Sequence, residues 1–302
     1  AESFFKKLGI IFVYDEVGRA YPYSLQASSV VDALRFALEE LQVDIFTETA
    51  VTDIEKRKNL YTVKSQSLTL DCRFVILAAG LYSGGEKIGS NGSVLRLFKQ
   101  KGYKTVKTTP AIVQLKTEND ITKQLKGIKV DAKVTLKSGE KVVREDFGEV
   151  LFCDYGLSGP PVMQLSREVP RNKNCMSLSL DIMPQISLND LKAKIKARAE
   201  NLKARPLEEF FTGMLQKRIG QVILKQCGLK LSDKAEVLND NLIDRIAKII
   251  KSFDFKVIGN TGFENAQVTA GGAQCAQFFP TCMSKKAKGL FAVGEVLNVD
   301  AV

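Results

Sequence analysis

Two stretches of the chain join a strand-like apolar run to a glycine turn, which is how backbone can come close to a flat or phosphorylated ligand. They are Cys72-Arg-Phe-Val-Ile-Leu-Ala-Ala-Gly80 and Gly289-Leu-Phe-Ala-Val-Gly-Glu295. In an open α/β sheet, ligands bind beyond the carboxyl ends of the strands, and small residues there admit a dinucleotide. A carboxylate placed just past the strand, as Glu295 is, can accept hydrogen bonds from sugar hydroxyls. Gly271-Gly272 has two readings, a hairpin or bulge, or backbone packed on a flat ring. Gly18-Arg19-Ala-Tyr-Pro-Tyr-Ser24 sets a guanidinium, two phenols and a hydroxyl in a proline-fixed loop. That loop is either a surface turn or a ligand contact. Tyr155-Gly-Leu-Ser-Gly-Pro-Pro161 is a rigid turn.

The 302 residues include no histidine. A Ser-His-Asp triad, a Cys-His dyad, a histidine-liganded metal and a histidine general base are therefore excluded, and Ser158 has no imidazole to activate it. The six cysteines are scattered without a CxxC pair, so reduced thiols and a cytoplasmic location are expected. No apolar run reaches the ~18–20 residues of a membrane helix. The net charge is +10. Residues 187–251 hold 14 Lys/Arg against 8 Asp/Glu, with lysines alternating with Leu188, Leu191, Ile195 and Leu202. That pattern describes the solvated face of an amphipathic helix, so nucleic acid is not expected as a partner.

The elements that must position these groups fall into three textures. Residues 1–104 are α/β. Ser28 or Ser29 is expected to cap a helix bearing Val30, Val31, Leu34, Leu38 and Leu41 on one side. Extended segments are expected at Val43–Phe46, Ala50–Glu55, Leu60–Lys64 and Ser67–Asp71, and Phe74–Ala78 suits a parallel strand buried on both faces. Residues 105–186 alternate with period two and carry a hairpin signal at Ser138-Gly139-Glu140, which predicts a small antiparallel barrel or sandwich. Residues 187–251 are helical, with a capping box from Ser187 to Asp190, Pro206 opening a later helix, Gly228 ending it, and a stripe of Leu242, Ile246, Ile249, Ile250 and Phe253. The strand pattern then returns at Phe255–Ile258 and Ala266–Ala273, and Lys288–Val296 again resembles a buried strand followed by a glycine turn. The chain reads as α/β: one sheet interrupted by two inserted modules.

Several segments, in order, resemble one family of bacterial flavoproteins: Phe4–Ile10, Gly18–Ser24, Gln26–Leu34, Ile76–Gly80, Asp154–Pro160, Val268–Gly272 and Gly294-Glu-Val-Leu297. The family is the aminoacetone-oxidase-like (BaiN-like) NAD(P)/FAD-dependent oxidoreductases. The resemblance implies a partial Rossmann-type FAD-binding domain (1–104 and 266–302), an inserted antiparallel β-barrel (105–186 and 252–265) and an inserted helical module (187–251). It implies FAD as cofactor, NAD(P) or dioxygen as electron partner, and hydride transfer between a small-molecule substrate and the flavin. By position, Val51 would lie at the adenine end. Ala78, Ala79 and Gly80 would line the dinucleotide, and Glu295, following Gly294, would face its ribityl or pyrophosphate part. Gly271, Gly272, Asn298 and Asp300 would surround the flavin, with Arg19 and Ser24 on the cofactor or substrate side.

The sequence also departs from that pattern. The family holds the pyrophosphate on a GxGxxG turn, and no GxGxxG occurs here. Asn298 stands where an aspartate is usual, Tyr103 where histidine is frequent, and Ser93 where the Gly89-Ser-Asn-Gly92 loop continues with aspartate. These departures lead to the expectation of an internal fragment that binds FAD weakly or not at all and whose uncovered strand edges would allow self-association. The competing expectation is a non-catalytic module binding an acidic partner or RNA through its basic helical insert.

Overall fold

A computed structural model describes residues 1–16, 18–118, 120–170 and 175–299. The chain divides into two compact units, Ala1–Glu55 with Thr62–Leu70, and Lys56–Tyr61 with Asp71–Val302.

In the first unit, helix α1 (Glu2–Lys7) precedes an antiparallel hairpin of β1 (Phe12–Tyr14) and β2 (Ala20–Pro22). Helix α2 (Ala27–Glu40) follows. Its N-cap is Gln26, not Ser28 or Ser29, and makes no side-chain cap bond; the Ser29 hydroxyl instead meets that of Ser24 at 2.8 Å. The apolar side of α2 is uncovered, and no residue of the helix is buried. Val43–Phe46 is not a strand. Strands β3 (Val51–Arg57), β4 (Leu60–Ser65) and β5 (Thr69–Cys72) form a three-stranded sheet in that order, of which the β3–β4 turn, Lys56–Tyr61, and the end of β5 from Asp71 are counted with the second unit.

The second unit holds most of the core. Strand β6 (Val75–Leu77) leads to α3 (Ser93–Gln100), β7 (Thr105–Ala111), β8 (Leu115–Thr117) and the short α4 (Ile121–Gln124). The long hairpin β9 (Lys129–Ser138) and β10 (Lys141–Phe152) turns where Ser138-Gly139-Glu140 predicts. After it come β11 (Gly156–Ser158), α5 (Pro160–Leu165) and β12 (Met176–Asp181). Helices α6 (Leu188–Asn201), α7 (Lys217–Gln226) and α8 (Asp240–Lys251) precede β13 (Phe253–Asn260), β14 (Val268–Ala273) and β15 (Leu290–Ala292).

Six strands close a barrel in the order β10-β11-β8-β13-β12-β9. Alternation along these strands points Val134, Leu136, Val150, Phe152, Leu178, Leu180, Phe253 and Phe255 inward, all fully buried. The helices add their apolar stripes, including Leu191, Ile195, Ile223, Ile246 and Ile250, to the same cluster. Barrel and helices therefore share one continuous core. Helix α6 starts as its sequence indicates, with Ser187 Oγ accepting from the Asp190 amide. Pro206 opens only a 3-10 turn, Leu207–Glu209, while the Gln216 side chain caps α7 and Asn239 caps α8.

Strand β7 lies outside the barrel and pairs antiparallel with β14. Strands β6 and β15 pair in parallel, Val75 with Leu290, Ile76 with Phe291 and Leu77 with Ala292. The sequence correctly marks β6 as parallel but not as buried on both faces: Ile76 is 66% exposed and Phe74 63%. Among the described residues β6 pairs with β15 alone, and nothing covers its outer side. No helix of the described residues is long and apolar enough to cross a membrane.

Candidate functional site

The parallel pairing of β6 and β15 brings the two strand-to-glycine junctions side by side. The Val293 amide donates to the Leu77 carbonyl at 3.0 Å and extends the pairing past both strand ends. Gly80 turns with φ +61°, and a Cβ there would sit 3.7 Å from Glu295 Oε2. The Glu295 carboxylate then takes hydrogen bonds from three places in the chain. The Leu81 amide donates to Oε2 at 3.0 Å, and the Thr269 amide donates to Oε1 at 2.6 Å. The Ser83 hydroxyl lies 2.9 Å from Oε1 and 3.2 Å from Oε2. Thr269 completes the clasp by accepting from the Tyr82 amide at 3.1 Å. A carboxylate offers about four lone-pair sites, so these bonds commit most of Glu295. Its observed work is to tie the β6 turn, β14 and the β15 turn together.

Strand β14 meets its neighbours at backbone distance. The register slips between Ala270 and Gly272. A Cβ on Gly271 (φ +95°) would come within 2.4 Å of the Lys107 carbonyl oxygen, and one on Gly272 (φ +121°) within 2.6 Å of that of Val296. Of the two readings of this glycine pair, the bulge is observed. Gly294 has φ +75°, with nothing within 4 Å of its Cβ position. Its backbone is open to a cleft of about 450 Å³ lined by Ile112, Arg167, Val268, Thr269, Ala270, Glu295 and Leu297 among others. The walls are mainly apolar, and two charged groups enter. One is Glu295; the other is Arg167, on the turn after α5, whose Nε lies 3.4 Å from Glu168 Oε1.

Of the sequence candidates, Gly80, Gly271, Gly272, Gly294 and Glu295 gather at or beside this cleft. Ala78 and Ala79 follow β6 and are exposed. Asn298 donates its amide to the Ala273 carbonyl at 2.8 Å, with its side chain exposed. Asp300 lies outside the described residues. Arg19, Ser24 and Val51 belong to the first unit. Arg19 closes its own hairpin onto Asp15, with Nε to Oδ2 at 2.6 Å, and Ser24 holds Ser29. Val51 lines a groove of about 200 Å³ with Phe46, Val63, Leu68 and Leu70. Ser83, Thr269 and Arg167 belong to the site without having stood out in the sequence. Among the described residues no cluster of three or more acidic, cysteine or histidine side chains could hold a metal ion.

Residues 109–268 match the family described as HI0933-like protein barrel and H2TH domain, which spans the barrel and the helices. Residues 21–128 match the FAD dependent oxidoreductase family. The chain belongs to the HI0933-like family of FAD-dependent oxidoreductases. It is 29% identical to a 3-dehydro-bile acid delta(4,6)-reductase of Clostridium scindens, over 99% of this chain and 74% of the relative. It is 21% identical to a ribosomal RNA dihydrouridine synthase of Haemophilus influenzae, over 96% of this chain and 71% of that one. A synthase of the same name from Escherichia coli is 26% identical, over 90% and 66%.

The residues present suit the cofactor this family implies. The volume falls within the ~300–1,000 Å³ usual for ligand sites, the walls are mainly apolar, and Gly294 has nothing within 4 Å of its Cβ position.

Proposed function

We propose that this protein is a flavin-dependent reductase of a carbon–carbon double bond conjugated to a carbonyl group. One observation supports this above others: relatives named for very different substrates share that bond change. A 3-dehydro-Δ4,6 bile acid carries double bonds conjugated to its ketone, and the uracil ring saturated in dihydrouridine carries one next to its C4 carbonyl. When bound, FAD supplies the two-electron step, in which a hydride from NAD(P)H reaches the β carbon and a proton is added at the α carbon.

In this reading Val268, Ala270, Leu297 and the Gly294 backbone, which line the cleft, would hold the flavin ring. Glu295 acts as a positioning residue by fixing the three segments that shape the cleft. Arg167 directs its guanidinium at the substrate carbonyl, where negative charge grows as the hydride arrives. Ala78, Ala79, Gly80 and Asn298 are assigned to the edge of the same cleft. Because these residues include no GxGxxG turn, the proposal includes weak FAD affinity for this chain.

The test is anaerobic NAD(P)H oxidation by the chain with excess FAD and a conjugated steroidal ketone. Turnover that needs protein, flavin and ketone together supports the reading, and oxidation indifferent to the ketone overturns it. Flavin retained at stoichiometric occupancy through purification would overturn the weak-affinity part alone. A second substrate reading, a uracil base carried in an RNA, is favoured by the two relatives named as dihydrouridine synthases.

A further inference from the structure

We infer that Ile112 is the specificity-determining wall of the cleft and that Ser166 is the positioning residue that holds it beside Arg167. The inference rests on the reductase reading above and names what selects the size of the substrate. Ile112 stands between β7 and β8 with φ +48°, in the left-handed region that a β-branched residue enters only at a steric cost. Its neighbours Ala111 and Val113 are buried, whereas Ile112 is half-buried, lies outside the core cluster and lines the cleft. A turn alone would be met by glycine without that cost. What isoleucine adds is a stiff, branched apolar side chain at the cleft.

Backbone strain of this kind persists only where the surroundings over-determine it, and three contacts fix this turn. Ala111 pairs with Val268 in the β7–β14 ladder. The Gln267 amide donates to the Ile112 carbonyl at 3.1 Å. The Val113 amide donates to Ser166 Oγ at 3.1 Å, and the Ser166 hydroxyl donates onward to the Met163 carbonyl at 2.7 Å. Val113 and Ser166 are both fully buried, so the bond between them has no solvent competitor and its loss would leave the amide unsatisfied.

The Tyr155–Pro161 motif brings Ser166 to that amide. Gly159, with φ +104°, lets the chain leave β11 so close to β10 that a Cβ would lie 2.1 Å from the Glu149 carbonyl oxygen. Pro160 and Pro161 then open α5, and Ser166 and Arg167 follow directly on its last residue, Leu165. One turn therefore carries both the hydroxyl that anchors the Ile112 backbone and the guanidinium that lines the cleft. Ser166 acts on the substrate only through these two neighbours.

The test compares cyclohexenone with a conjugated steroidal ketone, using the full chain and excess FAD. Equilibrium dialysis gives the Kd of each ketone, and reoxidation of chemically reduced flavin gives kcat and KM. Ile112→Gly is expected to shift the preference toward the steroid by about tenfold or more, through KM with kcat little changed. Its melting midpoint should stay within about 3 °C of that of the unsubstituted chain, because relief of strain offsets the lost side chain. Ser166→Ala should shift the preference in the same direction and also lower kcat, since Arg167 loses its anchor. In the double variant the preference should equal that of Ile112→Gly alone, as for two residues acting on one wall. Ser179→Ala removes another buried serine, bonded to Ser252 at 2.7 Å, and should leave the preference unchanged. An unshifted preference in Ile112→Gly or Ser166→Ala overturns the proposal, as does an equal shift in Ser179→Ala. With turnover intact in the unsubstituted chain, those results leave the reductase standing. The expected Kd shifts without any flavin reoxidation would keep the wall and remove the reductase, and an unsubstituted chain that binds neither ketone would remove both.

Discussion

Replacing Glu295 by Ala should loosen the cleft from its centre. The side chain satisfies the Leu81 and Thr269 amides and the Ser83 hydroxyl. A buried N–H stripped of its acceptor costs about 1–3 kcal/mol. Two such amides set a ceiling of about 6 kcal/mol, and water entering from the cleft recovers part of it, so the expected loss is about 2–4 kcal/mol. Glu295→Gln keeps the shape and one acceptor oxygen but not the charge, and should cost about half as much. Denaturant unfolding gives the total. Amide hydrogen exchange gives the location, because Leu81 and Thr269 should lose protection together while barrel amides such as Leu178 keep theirs. A loss below about 0.5 kcal/mol, the size of an ordinary surface change, with both amides still protected would refute the clasp.

Other consequences can be checked separately. Gly272→Ala adds a Cβ 2.6 Å from the Val296 carbonyl oxygen at φ +121°, so strain and overpacking together should cost about 2–4 kcal/mol. Gly294→Ala, also left-handed but with open space at its Cβ, should cost only about 1 kcal/mol in thermal melts. Ile246→Ala should cost about 2–5 kcal/mol, and because its cluster runs from helices into barrel, circular dichroism and barrel amide exchange should report one shared loss. Asp244 accepts from Lys192 and Lys248, which hold its carboxyl below the ordinary value of 3.8. Its ionised form favours the folded state, so that contribution is full above about pH 4 and is lost as pH falls further. Asp244→Asn should therefore flatten the melting temperature's dependence on pH in that acid range and leave the neutral range flat.

Much of the fold was legible where neighbouring residues decide it. The Ser187–Asp190 cap, the turn at Gly139 and the inward alternation of β9 and β12 all depend on a few adjacent positions. Val43–Phe46 is apolar like a strand but has no partner strand among the described residues, and a strand exists only by pairing. Pro206 has the φ of a helix start, yet the chain there pairs with Lys234 and turns through 3-10 geometry. In the site, the glycines and Glu295 stood out because a strand pattern precedes them. Ser83 and Thr269 could not, since their role comes from a carboxylate reached across as many as 212 residues. Arg167 reaches the cleft from the barrel side of the chain, and nothing in its local sequence records that.

The reductase assignment is tested most directly by watching the flavin itself. The chain is mixed with excess FAD, the flavin is reduced chemically without oxygen, and a conjugated steroidal ketone is added in a stopped-flow spectrophotometer. Oxidised-flavin absorbance is expected to return at a rate that rises with ketone concentration, and Arg167→Ala is expected to slow this return at least tenfold. Reduced flavin that persists in the presence of the ketone, and is reoxidised only when air is admitted, would contradict the assignment.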